Sequence, residues 1–215
     1  MKKTVTLILA AVAMLIGTGA RAQHLGIHVG YAPENIPAFS FNPLTLNNPP
    51  KIVQGDMQGV YLGVTYTLNF SDNFGVTAGV NGRYNTRNYQ FTMAMLPSSA
   101  KEMQVVVDVP VLLHFGIPFS DYSRFSFYGG PMVSYAVMGS STYTNSLVGE
   151  FGKRDWYADP ALLKRLNVQA TFGLALNVRH IRIFGGYVMG ILNIDAHEHA
   201  KTTTSGVYLG LGYTF

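Results

Sequence analysis

The chain ends on GVYLGLGYTF, residues 206–215, and this stretch decides the fold class. Because successive side chains of a β-strand point to opposite faces, alternate positions form two faces. One face carries small or weakly polar residues, and the other is apolar: Val207, Leu209, Leu211, Tyr213 and Phe215. A half-buried strand of a soluble protein would show the same alternation as a strand in a membrane. The rest of the chain must therefore decide between these two kinds of strand.

The first 22 residues have the anatomy of a secretory signal peptide. A basic start precedes the apolar run TVTLILAAVAMLIG and a small-residue Ala-Arg-Ala site, and the run is too short for a membrane anchor. We therefore predict a signal peptide over 1–22, cleavage before Gln23, and a single mature domain over 23–215. The absence of cysteine from the chain excludes a lipoprotein anchor, disulfides and thiol chemistry.

The charges of the mature chain nearly cancel. The full chain has 15 Lys and Arg against 11 Asp and Glu, and loss of Lys2, Lys3 and Arg21 leaves 12 against 11. No basic run with interleaved aromatic residues is present, so nucleic acid is not an expected partner. Every mature lysine falls in a predicted loop, whereas a soluble β-protein carries charges along its outward strand faces.

Period-two alternation predicts eight strands, separated by connections of two kinds. The strands span 24–31, 58–70, 74–90, 104–117, 125–139, 167–178, 181–194 and 206–215. Three connections are short, and four are long, at 32–57, 91–103, 140–166 and 195–204. Short turns that alternate with long loops are typical of an outer-membrane β-barrel, with turns in the periplasm and loops outside the cell.

The membrane explains why the chain ends on an apolar strand. In hydrocarbon every backbone N–H and C=O must be paired, so the last strand must pair with the first. We therefore predict an all-β, eight-stranded, antiparallel, transmembrane up-and-down β-barrel in the outer membrane. Phe215 would lie in the periplasmic aromatic belt and act as the signal for the outer-membrane assembly machinery, which together with membrane lipid is an expected partner.

Four segments carry a resemblance to a known family. They are VVVDVPVLLHFGIPF (105–119), FSFYGGPMVSYAV (125–137), VQATFGLALNVRHIRIFGGYVMGILNI (168–194) and YLGLGYTF (208–215). They resemble the small barrels of the PorT-like outer membrane protein beta-barrel group, some of whose members are implicated in type IX secretion and gliding. The resemblance implies the same fold and, as one alternative, a component of a secretion or assembly machine with secretion-complex proteins as partners.

The second face of the predicted strands would line the barrel interior. Its residues are Gly63, Thr65, Thr67, Gly75, Thr77, Gly79, Asn81, Arg83, Arg87, Asp108, His114, Tyr128, Gln169, Thr171, Asn177 and Arg182. An eight-stranded barrel is just wide enough for side chains to fill it, so a packed polar lumen is expected. Counting back from the second long loop, Arg87 and Asp108 would face each other as an ion pair, either structural or gating.

Catalytic and metal motifs are sparse. The chain has no GxSxG, no HExxH and no paired carboxylates, so we expect neither enzymatic activity nor a cofactor. In the fourth long loop, Asp195, His197 and His199 fall on one face of an extended segment. Imidazoles two residues apart can share a zinc or copper ion, and a solvated loop is the alternative.

The third long loop contains the only tryptophan of the chain. Asp159-Pro160 has the pattern of an N-cap and first-turn proline, which predicts a short helix. Phe151, Trp156 and Tyr157 are predicted to be exposed, either to recognise a partner or as part of the outer aromatic belt. The favoured function is a surface or structural protein whose extracellular loops bind a ligand; a secretion component comes next, and a narrow channel or barrel enzyme comes last.

Overall fold

The computed structural model describes residues 22–36, 56–93, 96–147, 149–158, 161–196 and 202–215. Ten strands form within these residues: β1 (Ala22–Tyr31), β2 (Glu34–Asn35), β3 (Gln58–Asn69), β4 (Phe74–Met93), β5 (Leu96–Ser120), β6 (Ser123–Asn145), β7 (Gly149–Asp155), β8 (Leu166–Val178), β9 (Ile181–Gly190) and β10 (Ser205–Thr214). None of the described residues forms a helix that is long and apolar enough to cross a membrane. The predicted signal peptide lies outside them, except for Ala22.

Eight of these strands close into a ring. The order is β1-β3-β4-β5-β6-β8-β9-β10, all neighbours are antiparallel, and β10 pairs with β1 from Gly26↔Thr214 to Tyr31↔Leu209. Closure leaves no unpaired sheet edge around the ring, which is the condition for burying strands in lipid. The predicted eight-stranded antiparallel barrel is confirmed.

Three tight turns join strands at the end of the barrel where the chain terminus lies. They connect β3 to β4 at residues 70–73, β5 to β6 at Asp121-Tyr122, and β8 to β9 at Arg179-His180. The Arg179 N–H donates to the Tyr122 carbonyl at 2.7 Å, and its guanidinium lies 5.2 Å from the Tyr122 ring. In outer-membrane barrels such turns face the periplasm, so the opposite end is extracellular.

The outward face of the barrel is apolar, as the sequence predicts. Leu62 and Leu113 are 66% and 68% exposed on it. Other exposed apolar side chains are Leu25, Ile27, Val29, Val60, Val64, Val111, Phe172, Leu174, Ile183, Leu209 and Leu211. A membrane removes such a surface from water, because the lipid-facing band of a transmembrane barrel is apolar.

Two strands are far longer than a membrane crossing requires. β5 has 25 residues and β6 has 23, whereas about 9–11 tilted residues span a bilayer. β4 pairs with β5 as far as Met93↔Leu96, and β7 adds a fourth strand through Tyr143↔Gly152. We call this projection, residues 87–93, 96–102, 140–145 and 149–155, the extracellular sheet.

The extracellular sheet corrects part of the sequence analysis. The predicted loop 91–103 is mostly strand, and the predicted loop 140–166 contains the end of β6 and all of β7. Lys101 and Lys153 therefore lie in strands. The prediction depended on an apolar lipid face, and that face stops where the strands leave the membrane, although the backbone pairing continues.

The predicted short helix is also absent from the described part of its range. Residues 161–165 are not helical, and Leu163 instead forms an isolated bridge with Asp195. The Leu162 and Leu163 N–H groups both donate to the Trp156 carbonyl, at 2.8 and 3.2 Å. These tertiary contacts replace the helical pattern that the Asp159-Pro160 sequence favours; those two residues themselves lie outside the described ranges.

Candidate functional site: a divided lumen

Arg83 of β4 binds two carboxylates in the extracellular half of the lumen. Its Nε and Nη2 donate to Asp108 Oδ2 and Oδ1 at 3.0 and 3.2 Å, and its Nη1 donates to Glu34 Oε2. All three side chains are buried. Glu34 reaches this position because β2 pairs with β10 through Gly206↔Glu34. Charge-assisted bonds of this kind are the strongest that side chains form.

Amide side chains complete the hydrogen bonding around Glu34. Asn85 Nδ2 donates to Gln104 Oε1 at 3.1 Å and to Glu34 Oε2 at 3.3 Å. From the opposite wall, Gln169 Nε2 donates to Glu34 Oε1 at 3.0 Å and to Thr204 Oγ1 at 2.8 Å. We call Glu34, Arg83, Asn85, Gln104, Asp108 and Gln169 the upper network. It ties strands from both sides of the barrel to one carboxylate.

A second ion pair lies farther out. Arg87 Nε and Nη2 donate to Glu102 Oε2 at 2.9 and 2.5 Å, across β4 and β5. The other carboxylate oxygen, Oε1, accepts from Tyr89 at 3.2 Å and from Ser141 Oγ at 3.3 Å. Trp156 Nε1 in turn donates to Ser141 Oγ at 2.7 Å. The tryptophan is thus linked through one hydroxyl to a buried ion pair.

The predicted Arg87–Asp108 pair is wrong. The register pairs Arg87 with Glu102 and places Asp108 opposite Asn81, while Asp108 binds Arg83. The prediction assumed a long loop over 91–103, but the two strands continue toward a tip between Met93 and Leu96. Compared with the predicted tip, the observed one shifts the β5 partner of each β4 residue by six residues, so Arg87 faces Glu102 and not Asp108.

An apolar cluster covers the upper network. It consists of Ile36, Met57, Ala136, Trp156, Tyr157, Leu163 and Ile194, and we call it the cap cluster. Trp156 is fully buried and sits over Gly139, where a Cβ atom would lie 2.7 Å from the indole ring. Only glycine leaves room for the indole there.

Tyr157 joins the cap cluster to the upper network. Gln104 Nε2 donates to its hydroxyl at 2.7 Å. Burial raises the pKa of Tyr157 to about 12, which favours the neutral phenol in this position. Because Trp156 and Tyr157 are both buried, the prediction that they are exposed, whether for recognition or in the outer aromatic belt, is wrong. The backbone of Phe151 lies in β7, and its side chain is outside the described set.

Below the upper network the lumen opens toward the periplasm. An inner cavity of about 110 Å³ is lined by residues that include His28, Tyr61, Tyr128, Arg182 and Tyr208. A vestibule of about 860 Å³ at the periplasmic end is lined by residues that include His24, His114, Arg124, Asn177 and Arg182. Arg182 borders both spaces, so it stands where the inner cavity meets the vestibule.

Arg182 is held by aromatic rings. Its guanidinium lies 5.4 Å from the ring centroids of both Tyr128 and Phe184, within cation–π range. Among the described residues no carboxylate lies within salt-bridge distance of Arg182, and its Nε has no hydrogen-bond partner. The Tyr61 hydroxyl, which lines the same cavity, also lacks a partner there.

The remaining predicted site residues lie apart from the lumen network. His197 and His199 are outside the described residues, and within the described ones no three potential ligands are grouped for a metal ion. The metal site with Asp195 stays a prediction. Phe215 is exposed, its N–H donates to the Leu25 carbonyl at 2.8 Å, and its ring lies 5.2 Å from that of Tyr213. Its role in assembly also stays a prediction.

Sequence reasoning missed Glu34 and Glu102, because both fell in predicted loops. Glu34 follows the first barrel strand by only three residues, and a two-residue strand is too short to show any periodicity. For Glu102 a signal was available. The alternating residues Arg87, Tyr89, Ala100 and Glu102 all face inward, which continues the period of two beyond the lipid face.

No curated protein matches the chain in sequence. Among solved structures, the chain is similar to the attachment invasion locus protein Ail of Yersinia pestis, with 16% identity, a TM-score of 0.43, and coverage of 89% of this chain and 98% of that one. The similarity to Neisserial surface protein A has 8% identity and a TM-score of 0.42, and it covers 90% of this chain and 97% of that one. The similarity to the outer membrane protein OprG from Pseudomonas aeruginosa has 15% identity and a TM-score of 0.41, and it covers 92% of this chain and 98% of that one.

The match to a family is of another kind, because a model of the family's sequences matches more than half of the chain. The sequence model of the family described as "Outer membrane protein beta-barrel domain" matches residues 24–196. That range includes most of β1 and all of β2 to β9, and it ends before β10. The chain belongs to this family of outer-membrane β-barrels.

Proposed function

We propose that this barrel is a non-catalytic surface protein that binds an extracellular ligand through the extracellular sheet. The carrying observation is that β4, β5, β6 and β7 continue as one paired sheet far beyond the length of a membrane crossing. Barrels place such extensions outside the cell. A rigid sheet presents side chains in fixed positions, which favours specific binding over a free loop.

The two faces of the extracellular sheet differ in a way that supports this role. The inner face is buried and includes Tyr89, Ala100, Glu102, Tyr143 and Asn145. The outer face is exposed and polar, with Asn88, Gln90, Ser99, Lys101 and Thr144. A sheet with one packed face keeps its shape, and the other face is then available to a ligand.

The closed lumen favours a barrel that anchors the extracellular sheet in the membrane over a barrel that conducts solutes. The upper network and the cap cluster fill the extracellular half with buried, bonded side chains. In planar lipid bilayers we therefore expect no steady conductance at either polarity. A persistent open level in the purified protein would contradict this part of the proposal.

Single cysteines test the binding role directly, because the chain has none of its own. Ser99→Cys lies on the exposed outer face, and Thr77→Cys is a buried lumen control. On intact cells a membrane-impermeant maleimide should label Ser99→Cys and leave Thr77→Cys unlabelled. Polysaccharide and protein fractions of the growth medium are then added, and one of them should slow the labelling of Ser99→Cys. An unchanged rate of Ser99→Cys labelling with every fraction would contradict the binding role.

The same cysteine separates the proposal from its main alternative. The resemblance to PorT-like barrels implies a component of a secretion machine, and such a component should crosslink to proteins of its own envelope at full occupancy. A surface protein should give no stoichiometric partner from its own cell. Recovery of such a partner through a crosslinker at Ser99→Cys would replace the proposed function with the secretion role.

A further inference from the structure

We propose that the periplasmic half of the lumen is an oxyanion site, in which the Arg182 guanidinium binds a phosphate, sulfate or carboxylate group that arrives from the periplasm. This inference is independent of the extracellular sheet and concerns the opposite end of the barrel. It depends on three observations: the charge of the lining, the unsatisfied polar atoms, and the direction of access.

The lining of this half is basic. Its cationic side chains are Arg124, Arg179 and Arg182, besides Arg83, which Asp108 and Glu34 bind. The one carboxylate that borders the inner cavity is Asp108, and both of its oxygens are bound by Arg83. Asp72 and Asp121 border the vestibule only at its exposed turns. Away from those turns the unpaired charges of this concave surface have one sign, so its field attracts anions.

Two polar groups at the cavity lack partners that a buried group normally has. Arg182 Nε and the Tyr61 hydroxyl are both buried, and neither has a hydrogen-bond partner among the described residues. Cation–π contacts with Tyr128 and Phe184 neutralise no charge. Since buried charges are paired as a rule, an anion is the missing component, and the planar fork of a guanidinium matches the oxygens of phosphate, sulfate or carboxylate.

In the part of the chain that the structure describes, the inner cavity is reached from the periplasmic side. The upper network closes the extracellular side of the inner cavity, whereas the vestibule opens at the periplasmic turns. The inner cavity of about 110 Å³ has room for one small anion or a few waters. The larger vestibule has room for the body of a molecule whose anionic group reaches Arg182.

The test uses the mature protein in lipid nanodiscs with ¹⁵N-labelled arginine. Inorganic phosphate is titrated at constant ionic strength, with chloride as the balancing salt. We expect one arginine Nε–H resonance, absent from Arg182→Gln, to shift saturably. Arg182→Gln should weaken phosphate binding at least tenfold, and Arg182→Lys should retain part of it, because lysine keeps the charge and loses the fork.

A matched control separates a built site from general charge. Lys153→Gln removes one positive charge from the exposed extracellular sheet and should leave phosphate binding unchanged. The heat-dependent gel mobility of each variant shows that the barrel has folded. No saturable shift with phosphate, or equal affinity in Arg182→Gln, overturns the proposal.

A second arm identifies the source of the anion. Glucose 6-phosphate carries the same group on a larger body that would occupy the vestibule. Tighter binding than inorganic phosphate supports the anionic group of a larger periplasmic molecule, and equal or weaker binding supports a free ion. Labelling at Ser99→Cys should be unaffected by Arg182→Gln, so failure here and failure of the proposed surface role are distinguishable.

Discussion

The extracellular and periplasmic halves of the lumen are built on the same strands, yet their charges are arranged differently. In the extracellular half, two arginines meet three buried carboxylates, those of Glu34, Glu102 and Asp108. In the periplasmic half, Arg182 meets aromatic rings and open space. The first half is packed shut and the second is hollow. A barrel interior of this width can therefore be closed or open depending on whether its cations have partners.

Desolvation explains the difference. Removing a charge from water costs several kcal/mol, and a partner with good geometry offsets that cost. In the upper network the carboxylates pair with Arg83, and the amides of Asn85 and Gln169 donate to the oxygens of Glu34. These carboxylates therefore need no water. Around Arg182 the offset must come from water or from a bound anion, and either one requires space.

The largest expected effect comes from breaking the upper network at Arg83. Arg83→Leu leaves Glu34 and Asp108 buried beside an apolar side chain. Loss of one partner from a buried ion pair typically costs about 3–5 kcal/mol, and we expect a loss in that range in the free energy of unfolding. The measurement is a urea titration of the refolded protein in detergent micelles.

The control for Arg83 is Lys153→Leu, which removes a cation from the exposed extracellular sheet and should not change the unfolding midpoint. Arg83→Leu combined with Glu34→Gln and Asp108→Asn should recover part of the loss, because the unpaired charges are gone. If Arg83→Leu alone lowers stability by less than about 1 kcal/mol, the network is not a closed electrostatic unit.

An intermediate effect is expected at the junction of the cap cluster and the second ion pair. Ser141→Ala leaves the Trp156 indole N–H buried without its acceptor at 2.7 Å. An unsatisfied buried donor costs about 1–3 kcal/mol. Trp156 is the only tryptophan in the chain, so its fluorescence reports on the cap cluster directly. We expect a red shift and stronger acrylamide quenching.

Ser140→Ala is the matched control, since Ser140 faces the other side of β6 and is only half-buried. It should leave both the emission maximum and the quenching of Trp156 unchanged. Equal quenching in the wild type and Ser141→Ala would mean that the Ser141 hydroxyl is replaceable. Its link between the cap cluster and the ion pair would then not contribute to stability.

The barrel wall was predictable because lipid imposes one rule on every strand. Alternation of apolar and polar residues follows from a hydrocarbon surrounding, so strand positions and closure could be predicted without knowing any contact. The lumen was less accessible to prediction. Glu34 comes from a short strand after the first barrel strand, and the partner of Arg87 depends on where the β4–β5 tip lies.

Trp156 shows a further limit of the sequence. An aromatic residue among charged neighbours has the same local pattern whether it faces solvent or folds back into a cluster. Its burial depends on Gly139, Ile36 and Leu163, which come from three separate segments of the chain. Tertiary packing of this kind leaves no periodic signal along the chain.

The smallest effect on stability is expected at Arg182, although it is an arginine in the same lumen as Arg83. Arg182→Leu removes two cation–π contacts and also removes a desolvated charge that has no carboxylate partner among the described residues. These terms oppose each other, since each desolvated cation–π contact is worth about 2 kcal/mol and the desolvation of the unpaired charge costs several kcal/mol. In chloride buffer we therefore expect the free energy of unfolding to change by less than about 1 kcal/mol. Urea titration of Arg182→Leu beside Arg83→Leu compares two arginines of equal charge on the lumen face of the same barrel. A loss at Arg182 as large as that at Arg83 would show that Arg182 has a structural partner, and the contrast between the two lumen halves would then lie in packing and not in charge pairing.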